Sequence, residues 1–116
     1  MRKWKWLGIV SASLLATGAN ALPSAKELVA KIDAGDVPAT FYLLGVSNGL
    51  MEANVHLRFK GQPQLYCQPE PLTLTPEQSA QIIRDYIRAH PESNNTNADV
   101  VLFEGLEATF PCTKSR

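Results

Sequence analysis

The chain contains few of the groups on which catalytic and metal-binding sites are built. Its 116 residues include two cysteines and two histidines, and no glycine-rich phosphate loop, HExxH or GxSxG motif occurs. Glu52 and His56 have the four-residue spacing of two metal ligands on one helical face, but no third ligand is evident. His90 falls at the expected end of a helix, where a capping role accounts for it. The sequence therefore predicts no catalytic, cofactor or metal site, and it does not indicate an enzyme.

Long apolar runs are also missing. The uncharged run from Leu7 to Ala19 has 13 residues, whereas a membrane-spanning helix needs about 20. This run follows a basic start, Met1-Arg2-Lys3-Trp4-Lys5-Trp6, and precedes Ala19-Asn20-Ala21, a small-x-small pattern that signal peptidases accept. Residues 1–21 are therefore predicted to be a secretory signal peptide that is cleaved after Ala21, with no membrane association afterwards.

The expected mature chain, residues 22–116, has no excess of positive charge. Arg2, Lys3 and Lys5 leave with the leader, so 8 basic residues remain against 11 acidic ones and the net charge is −3. This balance argues against a nucleic acid or an anionic membrane surface as a partner. The 95 remaining residues correspond to one small domain, whose single core would be only marginally sufficient.

Cys67 and Cys112 are the only cysteines, and both lie in the exported part. An even cysteine count in an oxidising compartment predicts a disulfide between them. Closing a loop of about 46 residues stabilises a fold by about 4 kcal/mol at most. A reactive thiol or a metal pair is the alternative. It is disfavoured because the cysteines are 45 positions apart and form no CxxC motif.

Capping motifs and apolar periodicity indicate four helices and no strand. Their expected limits are Ser24 to Gly35, Pro38 or Thr40 to about Lys60, Thr75 to Pro91, and about Asn97 to Pro111. The predicted fold is therefore all-α, a small bundle of about four helices stapled by one disulfide.

The second and fourth helices each have more apolar or small residues than a single buried face would contain. The second helix has a stripe formed by Leu43, Val46, Leu50, Ala53 and Leu57. Beside that stripe, Gly45, Gly49 and Ala53 predict that another helix backbone approaches closely, from the same chain in preference to a dimer partner. The buried face expected of the fourth helix comprises Ala98, Val101, Leu102, Gly105 and Leu106. Because Val100, Phe103 and Phe110 widen that face, the fourth helix is expected to be covered on two sides.

The order of short motifs in the second half of the chain carries a family resemblance. These motifs are Leu65-Tyr66-Cys67-Gln68-Pro69, Thr75 with Gln78, Tyr86-Ile87, His90-Pro91 and Phe110-Pro111-Cys112. Together with Tyr42, Gly45 and Gly49 upstream, they resemble the Rap/Tai family of bacterial immunity proteins. Members of that family are periplasmic helical proteins that protect a cell from peptidoglycan amidases injected by type VI secretion systems, and they are often dimeric.

This resemblance implies a periplasmic immunity or immunity-like protein that binds and occludes a peptidoglycan amidase without catalysis, and it is compatible with a homodimer. The alternative is a periplasmic acid-stress chaperone resembling the HdeA proteins, which are also small, helical and held by one disulfide. The 11 mature carboxylates would lose their charge in acid, and the bundle could then expose its apolar faces.

A partner-binding segment is predicted between the third and fourth helices. A protein that occludes an enzyme cleft needs a protruding polar segment on a rigid base, because ordering a flexible loop on binding costs affinity. The turn from Pro91 to Asn97 meets this requirement, and its residues Glu92, Ser93, Asn94 and Asn95 have no evident core role. An ordinary solvated turn is the alternative, in which case the exposed face of the third helix around Arg84 and Arg88 is the next candidate.

Overall fold

A computed structural model describes residues 22–69 and 73–113 as a bundle of four α-helices. The predicted all-α fold is confirmed, and the described residues contain one isolated antiparallel bridge, between Ser24 and Asn97, in place of any strand. The predicted signal peptide lies outside the described residues. Within residues 22–69 and 73–113, no helix is long and apolar enough to cross a membrane. The helices are α1 Ala25–Asp33, α2 Val37–Phe59, α3 Pro76–Ala89 and α4 Ala98–Thr109, with a 3-10 helix, η1 Pro91–Asn95, between the last two.

Local caps set most of the helix ends. Ser24 and Thr75 each form a complete capping box, with Glu27 and Gln78 respectively, as the sequence predicts. The second helix begins slightly earlier than expected. Its N-cap is Asp36, whose Oδ1 accepts a hydrogen bond of 2.8 Å from the backbone of Ala39. An aspartate side chain can satisfy an otherwise unpaired helix N–H, so Asp36 starts the helix before Pro38.

The helices α3 and α4 form the largest interface between two elements of the bundle. They approach most closely at Gly105, where a Cβ would lie 2.7 Å from Cγ2 of Ile82. The predicted buried face of α4 is confirmed residue for residue. It packs on Ser79, Ala80, Ile82 and Ile83, the buried residues of α3. This antiparallel hairpin is the scaffold on which the candidate site is built.

The predicted close approach at Gly45, Gly49 and Ala53 is wrong for the described chain. All three residues are exposed, and no described atom outside α2 lies within 4 Å of a Cβ built on either glycine. The residues that α2 buries are instead Ala39, Leu43, Ser47 and Asn54. Residues two positions apart lie about 200° apart around a helix, so burial of Leu43 and Ser47 turns Gly45 and Gly49 away from the core.

Two polar side chains occupy the buried face of α2, which the sequence predicted to be an apolar stripe reaching Ala53 and Leu57. Asn54 is 5% exposed. Its Nδ2 donates to the Tyr66 carbonyl at 2.7 Å, and its Oδ1 accepts from the Leu65 backbone at 2.7 Å. One turn of the connector between α2 and α3 is thereby fastened to α2, because buried backbone groups without partners would cost about 1–3 kcal/mol each. Ala53 is exposed and Leu57 only half-buried.

The disulfide predicted between Cys67 and Cys112 is present, with the two Cα atoms 4.8 Å apart. The backbone N–H of Cys67 also donates to the Phe110 carbonyl at 2.8 Å. The connector is therefore joined to the end of α4 by one covalent and one hydrogen bond. Together with Asn54, these bonds close the end of the hairpin that lies opposite η1.

The first prediction concerns the contact at Gly105. Replacing Gly105 with Ala should lower the free energy of unfolding by about 1–3 kcal/mol, because the methyl group meets a β-branched side chain that has little rotamer freedom. Gly45→Ala is the matched control, and it should raise stability by up to about 1 kcal/mol through helix propensity. Urea unfolding measures both. Equal stability of the two variants would show that α3 and α4 do not touch at Gly105.

The second prediction concerns the covalent closure. The double substitution Cys67→Ser with Cys112→Ser should lower the melting temperature by more than about 10 °C, since the unfolded chain regains the freedom of a long loop. Thiol titration of the denatured wild-type protein without reductant should find no free thiol. A double variant that melts at the same temperature as the wild-type protein, or two titratable thiols in the denatured wild-type protein, would contradict this role of the disulfide.

Candidate functional site

The segment η1 forms a short tip where α3 turns into α4. Backbone hydrogen bonds fix the base of this tip to the start of α1. The Ala25 N–H donates to the Thr96 carbonyl at 2.8 Å, and the Ala98 N–H donates to the Pro23 carbonyl at 2.9 Å. These bonds fasten the segment that leaves the tip, and the segment that enters it continues directly from α3. The tip is therefore a preorganised turn.

The four predicted partner-binding residues all lie in η1, as one turn of 3-10 helix where the sequence indicated an irregular loop. Glu92 and Asn95 are exposed, whereas Ser93 and Asn94 are half-buried, because η1 packs against α1 and α3. The part of the tip that a partner could reach without rearrangement therefore centres on Glu92 and Asn95.

His90 supports the tip from below. Its ring stacks on that of Tyr86, with centroids 4.2 Å apart and planes inclined by 19°. Its Nδ1 lies 3.1 Å from the Tyr86 carbonyl oxygen, and its backbone N–H donates to the same carbonyl at 2.8 Å. His90 thus occupies the C-cap of α3, which agrees with the capping role expected from the sequence.

The surface around Tyr86 is acidic. Burial raises the pKa of Tyr86, and a hydrogen bond to Glu104 together with the charges of Glu104, Glu92 and Glu107 raises this pKa further. The stretch from residue 89 to residue 113 contains four carboxylates and no lysine or arginine. The tip and the outer side of α4 therefore present negative charge that no basic residue of the same stretch neutralises.

A concave surface lies between α2 and α4. The expected coverage of α4 on two sides is met only in part, since both α3 and α2 contact α4 but α2 leaves this surface open. Val100 is 41% exposed, and Phe103 is only half-buried. The two residues border an open groove of about 400 Å³, which we call the α2–α4 groove. It remains open because α2 turns the small residue Gly49 toward it. The groove is lined by Val46, Gly49, Leu50, Asp99, Val100 and Phe103.

Asp99 is the one charged residue that lines the α2–α4 groove. Its Oδ1 is buried and has no hydrogen-bond partner within the described residues. The negative charge of Asp99 adds to the effect of burial in raising the pKa of Tyr42 on α2. Sequence reasoning missed Asp99, since an aspartate in the first turn of a helix is explained by the helix dipole alone.

The remaining candidate residues do not converge on a reactive centre. Glu52 and His56 are both exposed, and the described residues contain no cluster of three or more His, Cys, Asp or Glu side chains that could hold a metal ion. On α3, Arg84 forms an ion pair with Asp33 of α1, and Arg88 lies 3.6 Å from Asp85. The chemistry that this arrangement offers is surface recognition by a rigid acidic tip and an apolar groove.

Comparison with known proteins gives one match. The family model of the Rap1a immunity proteins matches residues 17–112, which includes all four helices, the tip and both cysteines. No curated protein and no solved structure matches the chain. Because the family model covers most of the chain and agrees with the resemblance carried by its motifs, the chain belongs to the family of Rap1a immunity proteins.

Proposed function

We propose that this protein is a periplasmic immunity protein that binds a peptidoglycan amidase effector and occludes its active-site cleft without catalysis. Family membership supports an immunity role in general, and thus binding to an effector protein. It also favours this function over the acid-chaperone alternative. The periplasm suits the proposal because it contains peptidoglycan and permits the disulfide between Cys67 and Cys112 to form.

The observation that carries the proposal is the rigidity of the acidic tip. The C-terminal end of η1 is held by backbone hydrogen bonds to the residues around α1, and its N-terminal end by the bond from the His90 N–H to the Tyr86 carbonyl of α3. The disulfide closes the opposite end of the hairpin. A segment fixed in this way loses little conformational freedom on binding, so more of the contact energy appears as affinity.

The polarity of the tip agrees with insertion into a solvent-filled cleft. Glu92 and Asn95 expose a carboxylate and an amide, which can pair with the donors of an enzyme active site. Both the tip and its base come from one chain, so the proposal does not depend on the homodimer with which the family resemblance is compatible.

The third prediction tests the tip with the amidase encoded beside this gene, which the proposal expects to exist. Replacing Glu92 and Asn95 with Ser should weaken inhibition of that amidase at least tenfold, about 1.4 kcal/mol. The melting temperature should stay nearly unchanged, because both side chains are exposed. Inhibition is measured as release of peptide from purified peptidoglycan at increasing concentrations of each variant.

The matched control removes the same two functional groups at the other end of the hairpin. Gln62 lies in the connector and Glu77 in the first turn of α3, and both are exposed. The double change Gln62→Ser and Glu77→Ser should therefore leave inhibition intact. Unchanged inhibition by the tip variant would remove the tip from the interface. No inhibition by the wild-type protein would contradict the proposed amidase partner itself.

A further inference from the structure

The α2–α4 groove combines two properties that bear on what it could bind. Val46, Leu50 and Phe103 provide apolar walls, and Val100 remains 41% exposed at the rim. The groove also contains a carboxylate, Asp99, whose Oδ1 has lost contact with water and has gained no hydrogen-bond partner in the described chain. Burying part of a charged group in this way is unfavourable unless an opposite charge approaches it.

Among the residues that the structure describes, none supplies a cation to the lining of this groove. Its other lining residues are uncharged, and no lysine or arginine occurs between residues 89 and 113. A ligand that complements the groove must therefore place a positive charge beside Asp99 and apolar surface against the walls. Lysine and arginine side chains have this construction, since an aliphatic stem carries a charged head.

The groove is continuous with the proposed interface. Asp99 lies four positions after Asn95, in the first turn of α4, so the groove begins at the base of the tip. A protein seated on the tip has its surface next to the groove. This continuity favours the effector as the source of the side chain over an unrelated ligand.

We propose that the α2–α4 groove accepts a lysine or arginine side chain of the effector, with the charged head paired to Asp99 and the stem packed between Val46, Leu50 and Phe103. The choice of the effector rests on the proposed immunity function, whereas the preference for a basic side chain rests on the groove alone. A charge-assisted hydrogen bond to the accessible part of the Asp99 carboxylate would offset the cost of burying its Oδ1, and such bonds are about twice as strong as neutral ones.

The affinity of the groove for a basic side chain is tested without any effector. Protein purified after expression of the full chain is titrated with n-propylguanidinium, which reproduces the arginine head and stem, and amide resonances are followed by NMR. We expect saturable shifts at Gly49, Asp99, Val100 and Phe103. The neutral isostere n-propylurea should produce shifts with at least fivefold weaker affinity. Equal affinity for the two compounds, or shifts that avoid the groove, would overturn the proposal.

Two variants separate binding from folding. Asp99→Asn keeps the shape of the side chain and should abolish the preference for the cation. Gly49→Leu should block the groove while the protein stays folded, because no described atom outside α2 lies within 4 Å of a Cβ at this position. Its matched control is Gly45→Leu, which has equal free space one turn away but does not line the groove. A retained preference of Asp99→Asn for the cation, retained binding by Gly49→Leu, or loss of binding with Gly45→Leu would refute the assignment.

The assignment of the basic side chain to the effector is tested by inhibition of the amidase. Asp99→Asn and Gly49→Leu should each weaken inhibition of the neighbouring amidase at least tenfold, whereas Gly45→Leu should not. If the cation titration succeeds and inhibition by these variants is unchanged, the groove binds a basic side chain from another source and the assignment to the effector is wrong. Shifts of the same resonances on simple dilution of the protein would assign the groove to a second copy and would also overturn it.

Discussion

The close approach of α3 and α4 at Gly105 is the constraint on which the other features depend. A glycine there lets Ile82 reach the backbone of α4, and the buried faces of both helices then meet. Leu102, Leu106 and Ile83 are fully excluded from water as a result. The two helices are joined by a short turn, in which η1 takes up a compact 3-10 conformation at one end of the hairpin. At the other end, the disulfide and Asn54 close the connector onto α4 and α2.

The same constraint determines which surfaces are available for recognition. One side of α4 packs against α3. The side toward α2 is covered only in part, since α2 buries Leu43 and Ser47 and leaves Gly49 at the surface. The acidic tip and the α2–α4 groove therefore lie at the same end of one rigid hairpin. Binding energy in such a protein comes from preorganised surfaces, and the described residues provide these without a metal cluster or a free thiol.

The candidate site could be predicted in part from the sequence. The polar turn after Pro91 was located because proline and polar residues interrupt the apolar periodicity there. Half-burial of Ser93 and Asn94 could not be predicted, because it results from packing of η1 against α1 and α3, which lie far apart from one another in the chain. Asp99 was not recognised for a similar reason. A carboxylate in a first helical turn has a local explanation, and only the position of α2 shows that one of its oxygens is buried without a partner.

The sequence by itself determined most helix limits, the disulfide, the buried face of α4 and the family, because caps, cysteine count and motif order are local or covalent features. It left undecided which side of α2 faces the core. Periodicity shows which residues share a face, but α2 has apolar residues on one face and small residues on another, and both faces could accept a neighbour. The tertiary structure decided between them. The buried hydrogen bonds between Asn54 and the connector and from Ser79 to Ser47 orient α2. If the helix turned, the buried hydroxyl of Ser79 and carbonyl of Tyr66 would lose these partners.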